Sequence, residues 1–176
     1  MRVLWLGVAA VLAAIAVLSP TPPTAPTALA ADADSSSLAG KWTYRSFFND
    51  PTFVGDSKEK AYNLIFAEAT FTFEITSPTT LKGTIDWGSG GLDLQGKIRP
   101  AGAGAPLTVE IVGTGRPGAP GTGTVGWEYD YYAHLAYAWP NGVKQVPALV
   151  GSVIRAKPHG DNPAGLVASF IAVKQP

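Results

Sequence analysis

The stretch Ile65-Phe66-Ala67-Glu68-Ala69-Thr70-Phe71-Thr72-Phe73-Glu74-Ile75 decides the fold class. Its odd positions carry Ile65, Ala67, Ala69, Phe71, Phe73 and Ile75; its even positions carry Phe66, Glu68, Thr70, Thr72 and Glu74. A helix would mix these two sets on every face, whereas a strand, whose side chains alternate, separates them. The stretch predicts a half-buried strand with its odd residues inward.

The same alternation recurs on either side, punctuated by turn residues. Ser77-Pro78-Thr79-Thr80 stops the first strand, and Leu81, Gly83, Ile85 and Trp87 then alternate with Lys82, Thr84 and Asp86. Gly88-Ser89-Gly90-Gly91 is a tight reversal, after which Leu92, Leu94, Gly96 and Ile98 alternate with Asp93, Gln95, Lys97 and Arg99. A Pro/Gly/Ala linker from Pro100 to Pro106 leads into Leu107, Val109 and Ile111. Arg116-Pro117-Gly118-Ala119-Pro120-Gly121 breaks the chain before an aromatic run from Val125 to Trp139, and Pro140-Asn141-Gly142 turns it again. Two final runs, Ala148 to Ala156 and Gly165 to Val173, are joined through Pro158-His159-Gly160-Asp161-Asn162-Pro163. Upstream, Gly40 to Phe48 forms the first run, and Ser57 to Asn63 is a short helical candidate capped by Asp56 or Ser57.

Eight or nine strands at regular spacing, with short polar connections, predict an all-β chain. The expected architecture is an antiparallel up-and-down β-barrel of about eight strands, with a β-sandwich as the alternative. Gly83, Gly96 and Gly113 fall on the apolar parity of successive strands. Small residues there relieve crowding inside a closed barrel or let its strands bend, which favours the barrel.

The N-terminal region reads as an export signal. Arg2 precedes an apolar run from Val3 to Leu18, a Pro/Thr-rich segment follows, and Ala28-Leu29-Ala30 supplies the small residues a signal peptidase accepts. Sixteen helical residues rise only ~24 Å, short of a ~30 Å hydrocarbon core, so a cleaved signal over 1–30 is expected rather than an anchor. Residues 31–38 then form a flexible polar leader, and 39–176 a single barrel domain. The expected location is secreted or periplasmic, by bacterial-type export, with no integral membrane segment after cleavage. The chain has no Cys, which excludes both disulfides and a lipid-modified cysteine. Without Arg2, 12 basic residues face 13 acidic ones, a net charge near −1, which gives no footprint for nucleic acid.

Gly40-Lys41-Trp42, opening the first strand of an eight-strand pattern, resembles the start of the calycin barrels, the lipocalins and avidins. The resemblance implies that Trp42 closes one end of the barrel, that Arg155 packs over it, and that the interior holds a small, largely apolar molecule. The lipocalin Thr-Asp-Tyr motif is missing, since Tyr129-Asp130-Tyr131 shares only two letters in order. Tyr44 stands where the avidin pattern wants a residue such as Asn, so biotin is not implied.

Within the aromatic run, Trp127, Tyr129, Tyr131, Tyr137 and Trp139 share one parity and would face inward, joined by Trp42 and Tyr44 of the first strand. Such rings can simply fill a core. A buried Tyr, however, wants a partner for its hydroxyl, and rings with a few hydroxyls are also what a small-molecule pocket needs. The candidate ligand-binding residues are therefore Trp42, Tyr44, Trp127, Tyr129, Tyr131, Tyr137, Trp139 and Arg155.

Catalytic and metal chemistry find less support. His134 and His159 lie far apart in sequence, with none of the recurring ligand spacing of a zinc site. No nucleophile elbow surrounds Ser152 or Ser169, and the Gly-Thr-Gly repeats at 113–115 and 121–123 precede no helix. Glu128 and Asp130 share a strand face, as acids on solvated strands commonly do. His159 reads as part of a solvated turn. No catalytic residue, metal or cofactor is assigned. The last strand is apolar on both faces, Val167, Ile171 and Val173 against Leu166, Ala168, Phe170 and Ala172, which suggests an outer cover: the short helix, the leader or a second copy.

The expected function is that of an exported barrel binding a small hydrophobic or aromatic molecule. A metal-independent barrel enzyme of the isomerase or cyclase type is one alternative; a filled barrel acting through a partner is another. A His or carboxylate inside the cavity would point to the enzyme.

Overall fold

In the computed structural model, which describes residues 34–50, 55–102, 104–138 and 145–176, the Ile65 stretch is a strand whose odd residues Phe71 and Phe73 are buried. It belongs to a series comprising β1 (Gly40–Phe48), β2 (Ile65–Ser77), β3 (Thr80–Asp86), β4 (Gly91–Arg99), β5 (Thr108–Gly115), β6 (Glu128–Ala138), β7 (Val146–Arg155) and β8 (Val167–Lys174). Each strand pairs antiparallel with the next, and β8 pairs back onto β1, so that Trp42 lies opposite both Phe71 and Lys174. The sheet is a closed eight-stranded up-and-down barrel, not a sandwich. Closure leaves no free edge for unwanted strand pairing. The helix α1 (Lys58–Asn63) is a single element in the β1–β2 connection, capped by the Ser57 hydroxyl, which accepts from the Lys60 amide.

The glycines on the apolar parity act as the sequence predicts. A Cβ on Gly96 would lie 2.9 Å from Ile111 Cγ1, and one on Gly113 would lie 3.2 Å from the Tyr131 ring. Their missing side chains make room for the large interior residues of neighbouring strands.

The pairing shifts register at two places, between Ile75 and Ser77 at the end of β2 and between Ser46 and Phe47 of β1. The β1–β2 register runs Ser46↔Ala67 and then Phe47↔Ile65, leaving Phe66 as an extra residue without a partner. Such a bulge bends the strand and re-aims a side chain. Phe66, on the outer parity by sequence, turns toward the interior, where its ring lies 6.3 Å from that of Tyr129.

One end of the barrel is plugged. Trp42 is fully buried, and its indole Nε1 donates to the Leu38 carbonyl at 2.9 Å. Residues Ser35–Leu38 form a 3-10 turn with Leu38 buried, so the last part of the supposed flexible leader is a built cap. Its order follows from two needs: an apolar Leu side chain to bury and an acceptor for the indole. Arg155 does not pack over Trp42, because the register places it beside Tyr129 at the far end of the barrel. The cation over Trp42 is Lys174, whose Nζ lies 5.8 Å from the ring centroid and donates to the Ser37 carbonyl at 2.7 Å.

On the outside of β8, Val167 and Ile171 stay exposed, and α1 packs near β2 rather than over them. No helix among the described residues is long and apolar enough to cross a membrane. The proposed signal over residues 1–30 lies outside the described residues.

Candidate functional site

At the end opposite the Trp42 plug, the interior opens into a cavity of about 420 Å³. An eight-stranded barrel is just wide enough to be filled by side chains or to hold one small ligand, and here the lower half is filled and the upper half is not. Tyr44 and Tyr131 make the floor, packed on Phe71 and Phe170 beneath. The Tyr131 ring packs edge-on against Phe71 at 5.5 Å and Phe170 at 6.0 Å. Tyr131 is 3% exposed, and its hydroxyl makes no hydrogen bond among the described residues although the residue lines the cavity. Burial pushes the Tyr131 phenol well above its ordinary range, with the neighbouring Tyr44 and Tyr129 adding to the shift. Burial likewise raises Tyr44. Both phenols are therefore protonated at neutral pH and can donate a hydrogen bond.

The mouth is built from three side chains in series. Arg155, at the end of β7, is 4% exposed. Its Nε donates to the Tyr129 hydroxyl at 3.2 Å, and its Nη1 donates to the Pro163 carbonyl at 3.1 Å. The guanidinium sits 5.8 Å from the Phe66 ring centroid and 5.9 Å from that of Tyr129. The Tyr129 hydroxyl in turn lies 2.7 Å from His159 Nε2. Partial burial lowers the His159 pKa, and the nearby Arg155 charge lowers it further. The imidazole is thus neutral at neutral pH, and Nε2 can accept the proton of a phenol whose oxygen already accepts from Arg155.

Local structure brings His159 there. The β7–β8 loop closes on itself through reciprocal backbone bonds between His159 and Asn162, at 3.1 and 3.0 Å, around Gly160 at positive φ. The imidazole then stacks on Trp127 with centroids 3.7 Å apart, and Trp127 lies nearly parallel to Trp87 at 6.1 Å. Trp127 is held by the Thr124 carbonyl, and the buried Thr124 hydroxyl donates to the Gly91 carbonyl at 2.6 Å, tying this loop to β4.

Of the residues proposed from sequence, Tyr44, Trp127, Tyr129, Tyr131 and Arg155 line this cavity together. Trp42 does not, because it plugs the other end. Tyr137 pairs with Pro147 toward that same end and is 39% exposed, and Trp139 lies outside the described residues. Sequence reasoning missed Phe66, Trp87 and His159, all of which line the cavity. Trp87 shares the parity of Ile85 and was within reach of the pattern. The bulge at Phe66 and the return of the His159 loop leave no local signal. The solvated-turn reading of His159 is corrected by its stacking on Trp127.

No group of three or more His, Cys, Asp or Glu side chains that could hold a metal occurs among the described residues. Glu128 pairs with Lys157 at 2.7 Å, and the even-numbered face of β6 that it shares with Asp130 points away from the cavity. No known protein-family model matches the chain, and no curated protein matches it.

Proposed function

We propose that this chain is a small-molecule-binding β-barrel that holds a hydrophobic or aromatic ligand in the open half of its interior. The observation that carries this reading is the cavity of about 420 Å³, walled by aromatic rings and furnished with a few convergent polar groups. Its volume lies within the ~300–1,000 Å³ of ordinary ligand pockets. A chain that needed only a filled core would place side chains where this one leaves space. The plugged end, with Trp42 under a cation from the last strand, supports a calycin-like relationship, although the cation is Lys174. The apolar run before Ala30 supports export to the periplasm or the exterior, and the exposed Val167 and Ile171 leave room for self-association.

One observation favours a second reading, a metal-independent enzyme: His159 faces Tyr129 at 2.7 Å inside the mouth. A phenol between a guanidinium and a neutral imidazole has a route for gaining and losing a proton, the requirement for general acid–base work.

Native mass spectrometry of protein recovered from cells expressing the full chain tests the binding reading. A discrete adduct lost on denaturation, and absent from a Tyr129→Phe/Tyr131→Phe variant, is the expected result. A bare mass, unchanged after incubation with cell extract, would refute it. An adduct that returns chemically altered would favour the enzyme.

A further inference from the structure

Arg155 is a buried cation that takes no part in the ion pairs of the described residues. Charged groups taken out of water are as a rule paired, because an uncompensated charge in a low-dielectric interior is costly. The ion pairs of Glu68, Glu74, Asp86, Asp93 and Glu128 engage Arg45, Lys82, Arg116 and Lys157, not Arg155. The one carboxylate on the cavity lining, Glu68, turns outward to Arg45. Outside the described residues the sequence holds a single acid, Asp32, and residues 51–54 of the β1–β2 connection carry none.

The hydrogen-bond inventory points the same way. A guanidinium has five N–H groups; Tyr129 and Pro163 take two, one from Nε and one from Nη1. Nη2 has no hydrogen-bond acceptor among the described residues: the Tyr129 oxygen accepts from Nε, and His159 Nε2 faces Tyr129. Deeper in the cavity the Tyr131 hydroxyl is also without a partner among the described residues. The space is therefore short of acceptors and rich in donors, with one fixed positive charge at its mouth and apolar rings below. The Phe66 and Tyr129 rings flank the guanidinium, at 5.8 and 5.9 Å from their centroids.

We infer that the cavity takes an amphipathic anion, an aromatic or apolar body carrying one carboxylate-type acid group, and that Arg155 receives that group. The inference rests on the reading that the cavity binds a small molecule. The acid group lies against the free edge of the guanidinium, where two parallel N–H donors suit two oxygens. The ring system lies over Tyr131 and between the walls that carry Trp87 and Phe66. Tyr129 and His159 position Arg155 by occupying its Nε side, which leaves the Nη side for the ligand.

The test uses two fluorescent probes with the same ring systems, 8-anilinonaphthalene-1-sulfonate and the uncharged N-phenyl-1-naphthylamine, titrated into protein from the full chain at neutral pH. The expected result is one-to-one binding of both, with the anionic probe tighter by about tenfold or more. Arg155→Met, which keeps the side chain's length against Phe66, should remove that preference, the anionic probe losing at least about tenfold more affinity than the neutral one. Arg155→Lys should retain part of it. Equal binding of both probes to the wild-type protein overturns the anion assignment and leaves the binding reading standing. Binding of neither overturns both. A preference for the anionic probe that survives Arg155→Met overturns the role of Arg155. The wild-type comparison stands even if the methionine variant does not fold.

Discussion

Removing one oxygen atom from the cavity floor should make this protein more stable and worse at its task. The Tyr131 ring is packed between Phe71 and Phe170, and those contacts survive a Tyr131→Phe substitution unchanged. What disappears is a hydroxyl that bonds to no described protein group. A hydroxyl withdrawn from water without a partner costs about 1–3 kcal/mol by mutational measure. Because this one borders the open cavity and is only partly withdrawn from water, less than that range applies, and the ligand-free variant should gain about 0.5–1 kcal/mol. For a chain of this size that corresponds to a rise of about 1–4 °C in Tm. Tyr129→Phe is the matched control. Its hydroxyl serves both Arg155 Nε and His159 Nε2, so its loss should cost about 1–2 kcal/mol. Urea unfolding of the two ligand-free variants beside the wild-type protein measures both, and opposite signs are expected. A loss of more than about 0.5 kcal/mol from Tyr131→Phe would mean that the hydroxyl has a structural partner, and the donor-rich account of the cavity would fail.

Three further outcomes follow from the barrel itself. Gly83→Ala would place a Cβ on the Thr72 carbonyl oxygen, a backbone atom that cannot move aside, whereas Gly96→Ala meets the Ile111 and Leu81 side chains at 2.9 and 3.0 Å and the Glu110 carbonyl oxygen only at 3.1 Å; the first should cost more than about 3 kcal/mol and the second about 1–2, read from denaturation midpoints. Trp42→Phe strands the Leu38 carbonyl and thins the plug, for about 2–3 kcal/mol, yet it should leave probe affinity at the opposite end within about twofold; a large change in affinity would show that the two ends are coupled. The His159 pKa is lowered on folding from its ordinary 6.5, so the unfolded chain binds more protons in that window. Its contribution is fully present above pH 6.5 and is lost as pH falls through the folded value. Denaturation midpoints should decline on that side in the wild-type protein and decline less in His159→Gln, with Arg155 and Tyr129 as the groups facing the ring; identical pH profiles would contradict the assignment.

Alternation is a local property, and it was legible wherever it governed. The period-2 run from Ile65 identified β2, and the same pattern located the other strands to within a few residues. Gly96 and Gly113 carried the sign of a crowded interior, and Gly83 that of a close backbone approach to Thr72, because a missing side chain on the inward parity has a physical use in a closed barrel. The parity of Trp127, Tyr129 and Tyr131 was also correct, so part of the site could be read directly.

What parity cannot state is the height of a residue along the barrel. Trp42 and Tyr44 are two positions apart on one face, yet one plugs the closed end and the other lines the cavity floor. Tyr129 and Tyr137 share a strand and a parity but point to opposite ends. Height is fixed by register, and register by pairings between strands distant in the chain, such as Tyr129 with Arg155 and Trp42 with Lys174. The same long-range pairing creates the bulge that turns Phe66 inward. The β7–β8 loop adds His159 to the mouth because Trp127, some thirty residues earlier, offers a ring to stack on. The sequence by itself determined that the chain is an antiparallel set of about eight strands with an aromatic interior. Only the tertiary structure decided which end is open, which cation guards it and which rings surround the space, because those depend on contacts between residues that no local pattern connects.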